Sequence, residues 1–172
     1  LNALPLQFAY DRGDLNRASG TAINNYLAAA GPRRRQVTLG ATYALGGGAS
    51  VTVIAFDGQV LGGAFVNPTT SAQEENSRSV VLRLEYGLFS MWLGGDLTGG
   101  ASGTADVESP ASLACGDVDV YKLNHHGSAS SSNLNLIARL QPELAVVSAG
   151  VGNPYGHPTS SAVNRINQAA AA

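Results

Sequence analysis

Four side chains that can bind a metal ion or carry a proton each follow an apolar segment of the sequence. They are Asp96, the adjacent pair His125 and His126, and His157, and they include all three histidines of the chain. Imidazole nitrogens and carboxylate oxygens are ligands that hold catalytic Zn²⁺ or Mn²⁺ while one position stays open for water. A metal bound in this way lowers the pKa of its water to about 7, which gives hydroxide at neutral pH. The residue types therefore indicate hydrolysis by a metal-bound hydroxide.

Ordinary structural roles are the competing interpretation for each of these residues taken singly. Asp96 stands in a Gly-Gly-Asp sequence and His157 in Asn-Pro-Tyr-Gly-His-Pro, both of which also suit a plain turn. The pair His125 and His126 is the strongest signal, because two adjacent imidazoles followed at once by Gly127 are an unusual choice for a connecting loop. We therefore favour chemistry for the pair and keep both interpretations for the other two residues.

Apolar segments rich in β-branched residues predict the strands that must position these side chains. Segments 89–93, 118–123 and 144–148 predict strands, and residues 132–140 predict a helix between the last two, which gives a βαβ unit. In layered α/β sheets the loops that follow such strands lie together on one edge, where sites are built. We therefore expect the four side chains to meet there.

The first hundred residues predict short strands separated by turn-rich stretches. Apolar residues at helical spacing before Gly-Pro predict a helix, and β-branched runs bounded by Asp-Gly predict paired strands. The predicted elements are a helix at residues 21–30, a hairpin or meander of strands at 36–39, 50–56 and 60–65, a strand at 79–85, a polar loop at 68–76, and a surface loop or short helix at 98–114.

Composition limits the classes of protein to which the chain can belong. With 172 residues, 44% of them apolar and 13% charged, the chain suits one folded domain and does not suit a disordered one. A net charge of −2 gives no basic excess for default binding to a phosphate backbone, although nucleic acid stays open as a substrate. The single Cys115 excludes an internal disulfide and a cysteine-based zinc knuckle. The longest apolar runs are far shorter than the ~20 residues of a membrane span.

A longer series of motifs resembles a known family. The series is residues 75–84, Gly-Asp at 95–96, Asp-Val-Tyr-Lys-Leu-Asn-His-His-Gly-Ser at 119–128, Pro142, Ser-Ala-Gly at 148–150 and Asn-Pro-Tyr-Gly-His-Pro at 153–158. In order and approximate spacing it resembles the metallo-β-lactamase-fold hydrolases. The nearest branch is the one typified by the soluble domain of the DNA-uptake channel protein ComEC/Rec2 and by bacterial phosphorylcholine esterases.

The resemblance implies a fold and a set of roles. The fold is an αββα sandwich, α+β in class and partial here, with mixed β-sheets flanked by helices and a dinuclear Zn²⁺ or Mn²⁺ site on one edge. In that scheme Asp96 bridges the two metals, and His126 binds the second. Asn76 falls 20 residues before Asp96, where many relatives carry a histidine, so one metal has a weaker ligand set. His125 and His157 are implied to contact the phosphate or transfer a proton.

The family's main metal-binding motif, His-x-His-x-Asp-His, does not occur in the sequence. We therefore expect residues 1–172 to form a single partial domain that lacks the N-terminal segment with this motif. We also expect a weak or empty metal site in this chain alone. Unpaired strand edges and apolar faces are predicted to be covered by that N-terminal segment or by a second chain.

The predicted function is metal-dependent hydrolysis of a phosphate ester, either a phosphodiester such as nucleic acid or a phosphorylcholine-like compound. Two alternatives stay open. Asn76 and the absent motif favour a non-catalytic binding module with a degenerate metal site. A lactone or thioester hydrolase of the same fold is the other alternative, because the same hydroxide attacks carbonyl groups.

Overall fold

The computed structural model describes residues 6–15, 19–70 and 72–170, and in these ranges the chain is a mixture of short strands and helices. In chain order the elements are β1 (Ala9–Asp11), α1 (Thr21–Ala30), β2 (Arg34–Gln36), β3 (Thr42–Gly46), β4 (Ala49–Phe56), β5 (Gln59–Val60), α2 (Glu74–Ser77), β6 (Val81–Tyr86), β7 (Phe89–Leu93), α3 (Glu108–Cys115), β8 (Val120–Lys122), α4 (Leu134–Leu140), β9 (Leu144–Val146) and α5 (Ser160–Ala170). Short 3-10 turns occur at several of the connections.

A small parallel sheet of β1 and β2 stands apart from the main sheet. Its two strands are joined through α1, and polar contacts hold the three together. The guanidinium of Arg34 donates to the carboxylate of Asp11 at 2.6 Å, and the hydroxyl of Tyr26 donates to the same carboxylate at 2.7 Å. These donors lower the pKa of Asp11 against the opposing effect of burial, which is the largest single influence on it.

The main sheet has seven strands, in the order β3-β4-β6-β7-β8-β9, with β5 paired to β4. The pairs from β3 to β7 are antiparallel, whereas β7, β8 and β9 run parallel to one another. Parallel neighbours need a crossover connection, and α3 and α4 lie in the two connections here. The parallel half of the sheet therefore has its carboxyl ends on one edge.

One face of the main sheet packs against α3, α4 and α5 and contains the larger apolar core. Trp92 of β7 and Tyr121 of β8 are fully buried there, against residues that include Ala111 of α3 and Leu136 of α4. Burying a large apolar side chain contributes about 1.5–3 kcal/mol, so this face stabilises the half of the sheet that carries the site.

The opposite face of the main sheet is apolar but only partly covered. Residues that lie opposite one another in register share a face, because side chains alternate along each strand. One such row runs through Val51, Leu84, Met91, Val120 and Leu144. Val51 is buried, but Leu144 at the far edge is 57% exposed. A second cluster, formed by Val37, Val53 and Phe56, covers the β4 end alone.

The helix predicted at residues 21–30 is confirmed as α1, and the predicted strands at 79–85 and 89–93 correspond to β6 and β7. Of the hairpin or meander predicted from strands at 36–39, 50–56 and 60–65, the pairing of 36–39 with 50–56 is wrong, whereas β4 and β5 do pair across the turn at residues 57–58. The partner of β4 is β3, and the turn that joins them contains three consecutive glycines at residues 46–48, all with left-handed φ angles. These glycines permit a tight reversal that was not anticipated from the β-branched pattern.

Two predicted loops contain helices, and one predicted strand is mostly absent. Residues 68–76, predicted as a polar loop, include a 3-10 turn and most of α2. Residues 98–114, predicted as a surface loop or a short helix, contain most of α3, so the helix is the alternative that the structure has. Of the strand predicted at 60–65, only Val60 lies in β5, while Phe65 makes an isolated bridge to Gln59.

The structure is mixed α/β, with a mixed sheet flanked by helices as expected, and it is compatible with an α+β sandwich. The more specific placement in the metallo-β-lactamase fold stays a prediction. None of the helices in the described ranges is long and apolar enough to cross a lipid bilayer.

Candidate functional site

Three parallel strands bring the predicted site residues to one edge of the main sheet. Asp96 follows β7, His125 and His126 follow β8, and His157 follows β9. Nε2 of His126 lies 3.6 Å from Oδ1 of Asp96, and the ring centroids of His125 and His157 are 5.5 Å apart. The expected meeting of the four side chains is therefore present in the structure.

The ring of His126 is oriented by a backbone carbonyl beyond β9. Its Nδ1 lies 2.6 Å from the carbonyl oxygen of Ser148, and because a carbonyl can only accept, Nδ1–H is the donor. In the neutral ring this leaves the lone pair on Nε2, the nitrogen that faces Asp96. The side chains of His126 and Asp96 are 46% and 40% exposed. A backbone carbonyl that fixes one ring nitrogen while the other stays available is the usual arrangement of a metal-binding histidine.

The turn that carries the two histidines is held in an uncommon conformation. His125 and His126 have φ angles of 48° and 55°, in the left-handed region that non-glycine residues rarely occupy. The amide of His125 donates to the carbonyl of Gly95 at 2.9 Å, which ties this turn to the loop before Asp96. The next residue, Gly127, also has a positive φ, and a Cβ there would lie 2.7 Å from Cβ of Pro158. The three loops of the site are thus packed directly on one another.

His125 carries the one buried side-chain nitrogen or oxygen that finds no hydrogen-bond partner among the described residues, its Nδ1. Burial lowers the pKa of His125, while the nearby carboxylate of Asp96 acts in the opposite direction. A buried polar atom without a partner is uncommon in native proteins and calls for a ligand, an ion or a water at that position.

The loop after β9 holds His157 through the side chain of Asn153. Nδ2 of Asn153 donates to the carbonyl of His157 at 2.7 Å, and its Oδ1 accepts from the amide of His157 at 3.0 Å. The ring of Tyr155 stacks on that of His157 at 5.8 Å. His126, Tyr155 and His157 line one cavity of about 610 Å³, which opens beside the histidines.

Asn76 lies on α2 and borders a second cavity, of about 490 Å³, together with Asp96 and Ser79. The amide of Asp96 donates to the hydroxyl of Ser79 at 3.2 Å, and Nδ2 of Asn76 reaches Oε1 of Gln73 at 3.5 Å. Asn76 therefore lines the same cavity as Asp96, whereas His157 lines the other. Its predicted role as a metal ligand stays a prediction.

A metal ion fits Asp96 and His126 as two of its ligands. Two ligands bound at about 2.0–2.1 Å to a tetrahedral ion lie about 3.3 Å apart, close to the 3.6 Å between Nε2 of His126 and Oδ1 of Asp96. No group of three His, Cys, Asp or Glu side chains that could hold a metal is found in the part of the chain that the structure describes. The described residues therefore offer two strong donors, and the amide oxygen of Asn76 is the remaining predicted one.

Several residues that shape the site were not predicted from the sequence. Glu108, Asn124 and Trp92 form a buried hydrogen-bonded network directly beneath the two histidines. The sequence predicts a surface loop or short helix around Glu108, and a single glutamate there gives no sign that it is buried. Asn124 was detectable only as the residue that precedes the histidine pair.

Comparison with known proteins gives partial matches to proteins with competence and recombination names. No family model matches this chain. The chain is 31% identical over 94 residues to Recombination protein 2 of Haemophilus influenzae, a match that covers 55% of this chain and 11% of that protein. It is 36% identical over 95 residues to Competence protein ComA of Neisseria gonorrhoeae, with coverage of 54% and 13%. It is 41% identical over 86 residues to ComE operon protein 3 of Bacillus subtilis, with coverage of 49% and 10%.

The resemblance to the ComEC/Rec2 branch is confirmed to this extent: the homologues of the chain include Recombination protein 2, Competence protein ComA and ComE operon protein 3. The matched segment spans 10–13% of the length of these curated relatives. What the relatives do as whole proteins enters below as a proposal.

Proposed function

We propose that this protein acts in DNA uptake as a metal-dependent hydrolase of phosphodiesters. The observation that carries the proposal is the pairing of Asp96 with Nε2 of His126, beside the rings of His125 and His157. The names of the relatives, which refer to competence and recombination, favour DNA over the other phosphate esters as the substrate.

In this proposal Asp96 and His126 bind the metal, and Asn76 contributes the weaker amide oxygen. The Ser148 carbonyl keeps His126 in the tautomer whose Nε2 is free to bind. When bound, a Zn²⁺ or Mn²⁺ ion, one of a dinuclear pair in the complete site, supplies a water activated to hydroxide and positive charge for the phosphate.

The other two histidines face the position of the substrate. Nδ1 of His125 is buried and has no hydrogen-bond partner among the described residues, so the proposal assigns this ring a phosphate oxygen or a transferred proton when substrate binds. The side chain of Asn153 hydrogen-bonds the backbone carbonyl and amide of His157, so the ring of His157 stays free of these bonds and lines the cavity. Hydrogen bonds from positioned imidazoles stabilise the charge that develops on a phosphate in the transition state.

The proposal includes further polypeptide that completes the domain, because two strong donors do not hold two metals. The partly covered sheet face agrees with this part, since Leu144 and its row neighbours present apolar surface. The N-terminal segment expected from the family resemblance is the occupant we propose.

The test is hydrolysis by the protein as its gene encodes it. Bis-p-nitrophenyl phosphate and single-stranded DNA are offered with Zn²⁺ or Mn²⁺, with and without a chelator. We expect turnover that the chelator abolishes. Asp96→Asn and His126→Gln are each expected to reduce turnover by at least about 100-fold, because loss of even a group that only orients a metal ligand costs about 10–100-fold. Asp117→Asn, an exposed carboxylate away from the site, is the matched control and keeps the activity.

Absence of turnover with either metal, or turnover that the chelator leaves unchanged, overturns the proposal. A lactone and a thioester assayed beside the phosphodiesters separate the carbonyl alternative, which predicts turnover of those two compounds only.

A non-catalytic binding module is the second candidate, and the finding that only two strong metal donors lie together in the described ranges favours it. This candidate predicts that the chain binds DNA or phosphate without hydrolysis, and that Asp96→Asn leaves the binding intact.

A further inference from the structure

A buried polar network adjoins the turn that carries the two histidines of the proposed site. Its centre is Glu108, the first residue of α3, whose side chain is fully buried. Oε1 of Glu108 accepts from Nδ2 of Asn124 at 2.8 Å and from the amide of Ser132 at 2.7 Å, and Oε2 accepts from the amide of Asn133 at 2.8 Å. A carboxylate in the core is costly, and these hydrogen bonds offset part of that cost.

Asn124 connects this carboxylate to the histidine turn, because it is the residue immediately before His125. Its Oδ1 accepts from Nε1 of Trp92 at 2.9 Å, and its amide donates to the hydroxyl of Tyr121 at 3.0 Å. Its carbonyl accepts from the hydroxyl of Ser131 at 2.8 Å. Every polar group of Asn124 is therefore engaged, so the start of the turn has a single position.

Two glycines of the loop around Asp96 leave the space that the network occupies. A Cβ at Gly94 would overlap Oδ1 of Asn124, and a Cβ at Gly99 would overlap Oε2 of Glu108. Neither glycine has a positive φ, so the requirement is for space and not for backbone freedom. The network is thus packed between the segment that carries Asp96 and the turn that carries His126.

The histidine turn needs such support because it is intrinsically unfavourable. A left-handed conformation costs about 1–2 kcal/mol for each non-glycine residue, and His125 and His126 adopt it in succession. Strained residues of this kind persist only where their surroundings over-determine them. The contacts of Asn124 and Glu108 are the surroundings on the buried side.

We propose that Glu108 is a positioning residue which, through Asn124, holds the left-handed histidine turn and so places Nε2 of His126 against Asp96. This positioning role rests on the proposed function, because the placement of His126 matters only if His126 and Asp96 bind a metal. Glu108 itself makes no contact with the substrate.

The test uses the protein as its gene encodes it, labelled with ¹⁵N-histidine, and the signals of His126 are assigned as those that His126→Gln removes. The variants are Glu108→Ala, Glu108→Gln and Gly94→Ala. In the wild-type chain we expect His126 to show the Nδ1–H tautomer that its bond to Ser148 requires. Glu108→Ala and Gly94→Ala lose this fixed tautomer, and their affinity for Zn²⁺ alone falls about 10-fold or more, as for other groups that orient metal ligands. Glu108→Gln, which keeps an acceptor for Asn124 and Ser132, retains the wild-type tautomer.

Two controls separate positioning from general stability. Glu143→Ala removes an exposed carboxylate, and Leu140→Ala removes packing from the core away from the turn. Both are expected to leave the His126 tautomer unchanged. An unchanged tautomer in folded Gly94→Ala and Glu108→Ala chains, or the same loss in Leu140→Ala, overturns the proposal. If Glu108→Ala does not fold, Gly99→Ala takes its place, because its added Cβ would overlap Oε2 of Glu108 while the substitution removes no polar group.

The two proposals fail in different ways. A wild-type protein that hydrolyses no phosphodiester while its variants show the expected tautomer loss overturns the proposed function and leaves the positioning role. A wild-type protein that is active, with an active Glu108→Ala variant of unchanged tautomer, overturns the positioning role alone.

Discussion

Glu108 combines full burial with three hydrogen bonds from N–H donors, two influences that act on its ionisation in opposite directions. Burial is the larger influence and raises the pKa of Glu108 from 4.5 to about 7, although the donors Asn124, Asn133 and Ser132 favour the charged form. The carboxylate of Asp106 raises it further. A group of this kind makes the stability of the fold depend on pH.

We predict that the free energy of unfolding decreases as the pH rises from about 4.5 to about 7. In this window the unfolded chain has already released the proton of Glu108 while the folded chain still holds it, so a higher pH favours unfolding. The stabilising contribution is complete below the unfolded pKa of 4.5 and is lost as the pH passes through the folded pKa. Urea unfolding of the wild-type chain and of Glu108→Gln at several pH values measures the effect. An equal pH slope in both chains would contradict the prediction.

At the scale of elements, the loops after β8 and β9 are locked together at Gly127. Its φ of +79° is a left-handed conformation, and its missing Cβ leaves room for Pro158. The carbonyl of Gly127 also accepts from the amide of Thr159 at 2.9 Å, so the backbone there cannot move freely. The contact is what holds the His157 loop against the histidine turn.

We predict that Gly127→Ala destabilises the chain by about 2–5 kcal/mol, from left-handed strain of about 1–2 kcal/mol together with about 1–3 kcal/mol of overpacking against Pro158. Gly152→Ala is the matched control, since its φ of +70° is also left-handed but nothing lies within 4 Å of the added Cβ. The control carries only the left-handed strain and is expected to lose about 1–2 kcal/mol. Chemical denaturation of the two variants compares them directly, and equal losses would show that the Pro158 contact is unimportant.

The elements of the site could be predicted from the sequence because their signals are local. The apolar runs that became β7, β8 and β9, with helical spacing between the last two, were enough to place Asp96 and the histidines on one edge. Strand partners were less predictable, as the choice of β3 over residues 36–39 shows. Pairing depends on turn geometry and on contacts distant in sequence, which a local pattern does not contain.

The buried network under the site could not be predicted for a related reason. Glu108 and Asn124 are 16 residues apart and meet only after the sheet has formed. In the sequence each is an ordinary polar residue, and polar residues are usually exposed. Their burial is a property of the packed molecule, and it was therefore visible only in the structure.

At the scale of the whole molecule, charged residues join the N-terminal segment to the main sheet. The guanidinium of Arg78 binds the carboxylate of Asp57 directly, and Arg12, next to β1, approaches the same carboxylate at 3.6 Å. All three side chains are buried. Arg12 also donates to Glu75 and Arg78 to Glu74, so both cations keep a second carboxylate near the surface. The shared Asp57 is the point at which the small sheet and the main sheet are connected electrostatically.

We predict that Asp57→Asn destabilises the molecule by about 3 kcal/mol, toward the lower end of the 3–5 kcal/mol for breaking a buried ion pair. The loss is at the lower end because Glu74 and Glu75 continue to neutralise the two arginines. Asp117→Asn replaces an exposed aspartate that precedes β8 and serves as the control. It is expected to change stability by less than about 0.5 kcal/mol. Denaturant unfolding gives the totals, and hydrogen exchange locates the change. Because the charge of Asp57 joins two sheets, protection should fall in β1 and β2 more than in β8 and β9, and a uniform fall would contradict this connecting role.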